Sequence, residues 1–449
     1  MADTGSVQSE GLVRVIGTWA LGLSVVNMVV GAGIFALPGR VAAELGSAAI
    51  VAYLVCSMVL SLVFLCFAEV GSRISRSGGA YAYIEEAFGP FAGFVTSILF
   101  WFGYSAMADA GITVAMVESI ATAVPVLGEP VPRAIFIVTL LGFLAAVNII
   151  GVKAGVRLYV INTWAKLVPL LLLLVAGLFV INVDNLTFPE WPSAKAIGAT
   201  TIILFFAFTG AESALNASGE IKNPAKTVPM GLMFGIGALL VLYMGLQTVS
   251  QGVLGPELAN NTKAPLVAVA TKVFGDWGGK MLLVGMVVSI YGTLSGDLLG
   301  GPRVIFASSL DNNLPKILSK VHPQYKTPYV AIIFFAIIVC AFSLTGTFKY
   351  LVVFATGSLL LIYLGVSLAV MRLRQRDGLP KAGEFRLPFG PIIPLLSCGV
   401  IGWLLLQMPP EEAISVAALV SVSVAVYVMR ALLRRASGKV KPAVAPLEP

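Results

Sequence analysis

The sequence predicts an all-α polytopic membrane protein of about twelve transmembrane helices, a five-plus-five inverted repeat followed by two extra C-terminal helices. Three observations carry that expectation. The 449 residues are 58% hydrophobic and only 11% charged, with a mean hydropathy of +0.94; soluble domains carry about 25% charged residues. Apolar runs of roughly 20 residues, long enough to cross about 30 Å of hydrocarbon, recur along nearly the whole chain. Two of these runs are interrupted in the middle, at corresponding places in the two halves.

The runs fall at 15–42, 47–72, 90–119, 132–150, 156–181, 196–218, 229–252, 279–309, 328–346, 350–371, 391–408 and 413–433. With the N-terminus inside, 21 of the 29 Lys and Arg residues lie on the cytoplasmic side and seven outside, and Lys166 lies within a span. That positive-inside bias places both termini in the cytoplasm and accounts for the +7 net charge without nucleic acid. Residues 1–13 are polar and the first apolar run has no small-residue cleavage site, so no cleavable leader is expected. The expected organisation is a tail at 1–14, a core at 15–371 (repeats 15–181 and 196–371), two helices at 391–433 and a tail at 434–449. No long polar stretch points to an attached soluble domain.

Cys56, Cys66, Cys340 and Cys398 all sit in apolar segments, which reads as packing. The single histidine, His322, lies in a basic loop, so neither a metal site nor a cofactor is expected. The loop from Ser75 to Tyr83 is Gly-rich but lacks the Gly-Lys-Ser/Thr ending of a phosphate-binding loop. No nucleophile–base pair marks an enzyme.

The two interruptions carry the chemistry. The first reads Val29-Val30-Gly31-Ala32-Gly33-Ile34, the second Phe206-Ala207-Phe208-Thr209-Gly210. A helix that breaks in lipid frees backbone groups costing several kcal/mol each unless they meet protein, water or ligand. Matched breaks in two halves point to a transporter's binding site. Span 1 runs outward, so the half-helix after Gly31 turns its N–H groups and positive dipole end to the membrane centre, suiting a carboxylate. Span 6 runs inward and leaves carbonyls near Phe208, which with those near Met28 and Val29 suit an ammonium. Alone, Gly31-Ala32-Gly33 is equally a small-residue packing face; the second break argues against that.

Gly31-Ala32-Gly33-Ile34-Phe35 with Pro38, Ser77-Gly78-Gly79-Ala80-Tyr81, and Phe206 to Glu212 followed by Glu220-Ile221-Lys222-Asn223-Pro224 resemble the amino acid–polyamine–organocation superfamily. The resemblance covers spans 1–10 and implies the inverted-repeat fold also found in sodium-coupled neurotransmitter transporters, the LeuT type. It implies that Phe206 closes over substrate and that Tyr104 and Ala108 line the pocket. Many members have Ser at the position of Ala32, so here only backbone donors hold a carboxylate. The resemblance further implies that Lys166 fills the space of a sodium ion and bridges the first break to a span-8 hydroxyl, Thr293, with Ser289 one turn away.

A lysine about ten residues, or roughly 15 Å, inside span 5 needs partners or must lose its proton. It can stand as a fixed cation in an exchanger, titrate in each cycle, or only glue helices. Glu212 caps the second half of span 6 or senses pH. Asp109 and Asp297 are open between polar pairing, proton carriage and contact with a cationic substrate. The expected protein is a sodium-independent, proton-coupled symporter of neutral amino acids in the plasma (inner) membrane. The alternatives are an amino acid or amine antiporter with cationic or polyamine substrates, and a channel or receptor on the same scaffold. Partners are the substrate, protons and the bilayer; the sequence defines no oligomeric state.

Overall fold

The structure, a computed structural model, describes residues 16–74, 79–150, 155–187, 190–310 and 314–436. Most of both expected tails, residues 75–78 of the Gly-rich loop, and Arg14, Arg76, Lys153, Lys439 and Lys441 of the charge count lie outside the described residues. So do the side chains of Ala32, Arg157, Glu220, Arg434 and Arg435.

The described chain is helical, and its one strand-like pairing is an isolated parallel bridge between Ile16 and Ile221. Span 1 is split into α1 (Thr18–Val29) and α2 (Ala32–Leu45), and span 2 is α3 (Ala49–Arg73). A short helix, α4 (Gly79–Phe88), precedes span 3, which comprises α5 (Pro90–Ile98), a π-helical stretch at Leu99–Ala106 and α6 (Met107–Ile120). α7 (Pro130–Ile150) and α8 (Gly155–Leu178) are spans 4 and 5. Span 6 begins with α9 (Ala194–Phe205) and continues in two tight 3₁₀ turns, Phe206–Phe208 and Ala211–Glu220. Then follow α10 (Pro224–Leu254), α11 (Pro265–Phe274), α12 (Asp276–Leu310), α13 (Tyr329–Thr345) and α14 (Phe348–Asp377). α15 (Ile392–Leu406) and α16 (Pro410–Ala436) are the two extra helices.

Eight of the described helical runs are long and apolar enough to cross a bilayer. The shorter apolar helices Thr18–Val29, Thr163–Leu178, Tyr329–Thr345 and Ile392–Leu406 bring the crossings to twelve. Local chemistry sets several boundaries. Ser193 accepts from the Ala196 N–H at 3.1 Å to start α9, and Thr347 accepts from Tyr350 N–H at 3.3 Å to start α14, each satisfying an orphan donor. Asn223 in the left-handed region (φ 42°) and Pro224 at the first helical position start α10. α14 is buried along most of its length, whereas α7 and α16 turn apolar faces such as Val131, Ile135, Ile414 and Val422 outward. Exposed apolar side chains of that density fit a lipid surface.

Ion pairs fasten the two ends of the bundle. At the end carrying α4, the buried Glu69 carboxylate takes two bonds from Arg374, at 2.7 and 2.5 Å, and one from the Leu387 N–H at 2.8 Å. At the opposite end Arg40 meets Glu118 at 2.7 Å and stacks 3.9 Å over the Phe348 ring. Also at the α4 end, the carbonyl of Ile16 accepts the Lys222 N–H at 2.9 Å, tying the start of span 1 to the end of span 6.

Candidate functional site

The two breaks meet at mid-bundle. α1 stops at Val29, Val30 leaves the helical region (ψ 89°) and Gly31 caps α2. The break in span 6 is at Thr209-Gly210, with Thr209 extended and Gly210 at φ +109°, a conformation open mainly to glycine. A Cβ at Gly210 would lie 2.9 Å from the Met28 carbonyl oxygen, and one at Gly33 would lie 2.6 Å from the Ala207 Cα. The unwound segments therefore touch backbone to backbone, which no larger residue at either position permits.

A cavity of ≈ 350 Å³ opens beside this crossing. Val29, Gly31 and Gly33 line it from span 1, Phe206, Thr209 and Gly210 from span 6, and Tyr104, Ala108 and Asp109 from span 3. Lys166 enters from α8, and Gly292, Thr293, Gly296 and Asp297 from α12. The wall continues along α12 to Gly300, Gly301 and Val304, and along span 3 to Phe100, toward the end that carries α4. At the other end Phe206 sits over the cavity and packs edge-on to Phe348, ring centres 6.4 Å apart.

Other residues expected at the site stand behind this wall. Ile34, Ala207 and Phe208 belong to the buried core. Ala32 contributes the first backbone N–H of α2. Among the last carbonyls of α1, Asn27 accepts from the Lys166 ammonium and Val29 accepts from Tyr243 Oη at 3.1 Å. The break's acceptors are thus partly satisfied by protein. Lys166 is 2% exposed, and Pro169, three residues on, withdraws the donor from the Ala165 carbonyl. The Thr293 hydroxyl donates to the Ser289 carbonyl at 3.1 Å and lies 3.4 Å from where a Gly31 Cβ would be. Ser289 is buried with its hydroxyl unpartnered.

Glu212 folds back onto the second break. Its oxygens accept the Gly210 N–H at 3.1 and 3.2 Å, and one takes Tyr363 Oη at 2.6 Å. That is the geometry of a carboxylate holding a helix break. The Thr209 hydroxyl is turned onto the Phe206 carbonyl at 2.8 Å, which locks the residue carrying the ring above the cavity.

Asn27, Ser105, Ser213 and the α12 glycines line the cavity without having been singled out in the sequence. The glycines at 292, 296 and 300 repeat at helical spacing, a signal that was present in the sequence. The side of α12 they occupy has no bulk, and this leaves the cavity its width.

The fold and site have counterparts among known proteins. Residues 16–430 match the family model described as amino acid permease. The methylthioribose transporter of Bacillus subtilis (strain 168) is 28% identical over 443 residues, 94% of each chain. The serine/threonine exchanger SteT of the same organism is 30% identical, over 87% of this chain and 90% of that one. Its branched-chain amino acid permease BcaP is 26% identical over 86% of both. All three are named as transporters rather than enzymes. The chain belongs to the amino acid permease family of the amino acid–polyamine–organocation superfamily, and is a multi-pass membrane transporter.

Proposed function

We propose that this chain is a sodium-independent, proton-coupled symporter of neutral amino acids that works by alternating access. The observation that carries the reading is the contact of Lys166 with the Asn27 carbonyl, at the end of α1 and in the wall of the central cavity. An ammonium fixed where the first helix breaks supplies the positive charge that a coupling ion would otherwise bring. Substrate binding is assigned to the two breaks. The first N–H groups of α2 meet the carboxylate, carbonyls around Met28 and Phe208 meet the amine, and Tyr104, Ala108 and Thr209 face the side chain. Phe206 closes the site, and Glu212 holds the second break in place. Lys166 with Ser289 and Thr293 forms the coupling region. The cavity runs toward the α4 end, which the positive-inside reading makes cytoplasmic, and this supports reading the cavity as open to the inside.

The test is uptake into proteoliposomes of L-serine, L-threonine, L-leucine and L-isoleucine, with an imposed pH gradient and potassium in place of sodium. Accumulation of at least one, unaffected by sodium and abolished in Lys166→Ala, is the expected result. A Lys166→Ala protein that accumulates substrate normally down the pH gradient refutes coupling through this residue, and conductance without saturation refutes a carrier. The 30% identity to a protein named as an exchanger supports a second reading, amino acid exchange. There, uptake depends on amino acid loaded inside and not on the gradient.

A further inference from the structure

One buried group in the cavity wall is not used by the mechanism above. Asp109 is fully buried (0% exposed), and neither carboxylate oxygen has a hydrogen-bond donor. Its own helix offers none: the Thr113 hydroxyl donates instead to the Asp109 carbonyl at 2.7 Å. An orphaned carboxylate in hydrocarbon is costly. Across the same cavity wall stands a second carboxyl, Asp297 of α12, which lines the cavity with it and interacts with it electrostatically. Asp297 also faces Lys166. Ionised carboxylates only accept hydrogen bonds, so two of them bond only through a proton.

We propose that Asp109 and Asp297 form an acid–carboxylate pair that holds one proton in the cavity wall, a proton site distinct from Lys166. One oxygen of the pair carries the proton and donates to the facing carboxylate. The remaining negative charge faces the Lys166 ammonium, so the three groups together are neutral. With both carboxylates ionised, the cluster would carry one uncompensated negative charge. The other ionisable groups near Asp297 do not supply the missing cation. Tyr104, slightly more than one turn before Asp109, is neutral, and Glu212 is acidic and occupied by Gly210 and Tyr363. The proton's exit is into the cavity, on the side toward Gly300 and Val304. That this proton is the one carried with substrate rests on the proton-coupled reading above; that the pair holds it does not.

The direct test needs no substrate. Infrared difference spectra of the full-length protein in liposomes, in water against deuterium oxide at neutral pH, report the carbonyl stretch of protonated carboxyl groups. A band present in the unaltered protein and lost in both Asp109→Asn and Asp297→Asn is expected. Each variant keeps a neutral donor against a carboxylate, so both are expected to fold; Asp109→Ser serves if either does not. Absence of the band from the unaltered protein, or its survival in the variants, overturns the proposal. A second measurement follows internal pH in dye-loaded proteoliposomes during L-leucine and L-serine uptake. A fall in the number of protons moved per amino acid in Asp109→Asn, measured against whatever uptake that variant keeps, identifies the carried proton, and an unchanged ratio excludes it. If no amino acid is taken up at all, the transport reading fails while the infrared result still decides the pair.

Discussion

Replacing Arg374 by methionine leaves Glu69 as a buried charge without its partner. The carboxylate is 0% exposed and the guanidinium 11%, so bulk water does not screen the pair as it would at a surface. Hydrogen bonds donated to Glu69 hold the Arg374 guanidinium above its ordinary value, the mark of a charge stabilised by its partner. Removing one member of a buried pair costs about 3–5 kcal/mol, roughly two to three and a half orders of magnitude in the ratio of folded to unfolded protein. Equilibrium unfolding in mixed micelles measures it. The double variant Glu69→Gln/Arg374→Met removes both charges while the glutamine still accepts from Leu387 N–H, so it is expected to recover much of the loss. A single-variant cost below about 1 kcal/mol, the range of exposed pairs, refutes the reasoning. So does a double variant as unstable as the sum of its parts.

Gly33→Val drives a side chain into the Ala207 backbone, 2.6 Å from the new Cβ; it is expected to abolish binding, seen as loss of ligand-induced thermal shift, and normal transport would refute the close crossing. Phe206→Ala removes the ring above the cavity, whose burial is worth about 1.5–3 kcal/mol. Roughly ten- to hundred-fold weaker substrate retention in counterflow is expected, and unchanged retention refutes the gate. At the α4 end, hydrogen bonds from Arg376 hold the Asp377 carboxyl below its ordinary 3.8. Its contribution to stability is therefore present above that value and lost as pH falls through the lower folded one. The pair is exposed, so Asp377→Asn is expected to cost no more than about 1 kcal/mol at neutral pH and nothing in strong acid, read from unfolding across pH.

The helix breaks were legible because glycine and a local reversal of chemistry mark them. Gly31 and Thr209-Gly210 stand where the helices stop, although α1 ends at Val29, earlier than the glycine triplet implied. Lys166 was legible because one cation in a long apolar run has no surface to reach. What it touches was not, because the Asn27 carbonyl comes from a distant helix. Asp109 shows the same limit. On an ideal helix it lies about 100° from Ala108, yet both line the cavity. The π-helical stretch at Leu99–Ala106, with its i→i+5 bonds, rotates the whole of α6 relative to an unbroken helix, and it has no residue signature. The pairings Asp109 with Asp297 and Glu69 with Arg374 depend on packing between helices far apart in sequence. Composition and periodicity carry no information about them.

The bridge between Ile16 and Ile221 gives the moving parts a mechanical property. It joins the outer ends of the two half-helices on the α4 side through main-chain atoms alone, Lys222 N–H to the Ile16 carbonyl. A displacement of one half is therefore opposed by the other until this hydrogen bond, worth about 1 kcal/mol, is given up. Because the bond runs between main-chain atoms, a proline at residue 222 is the substitution there that would delete its donor.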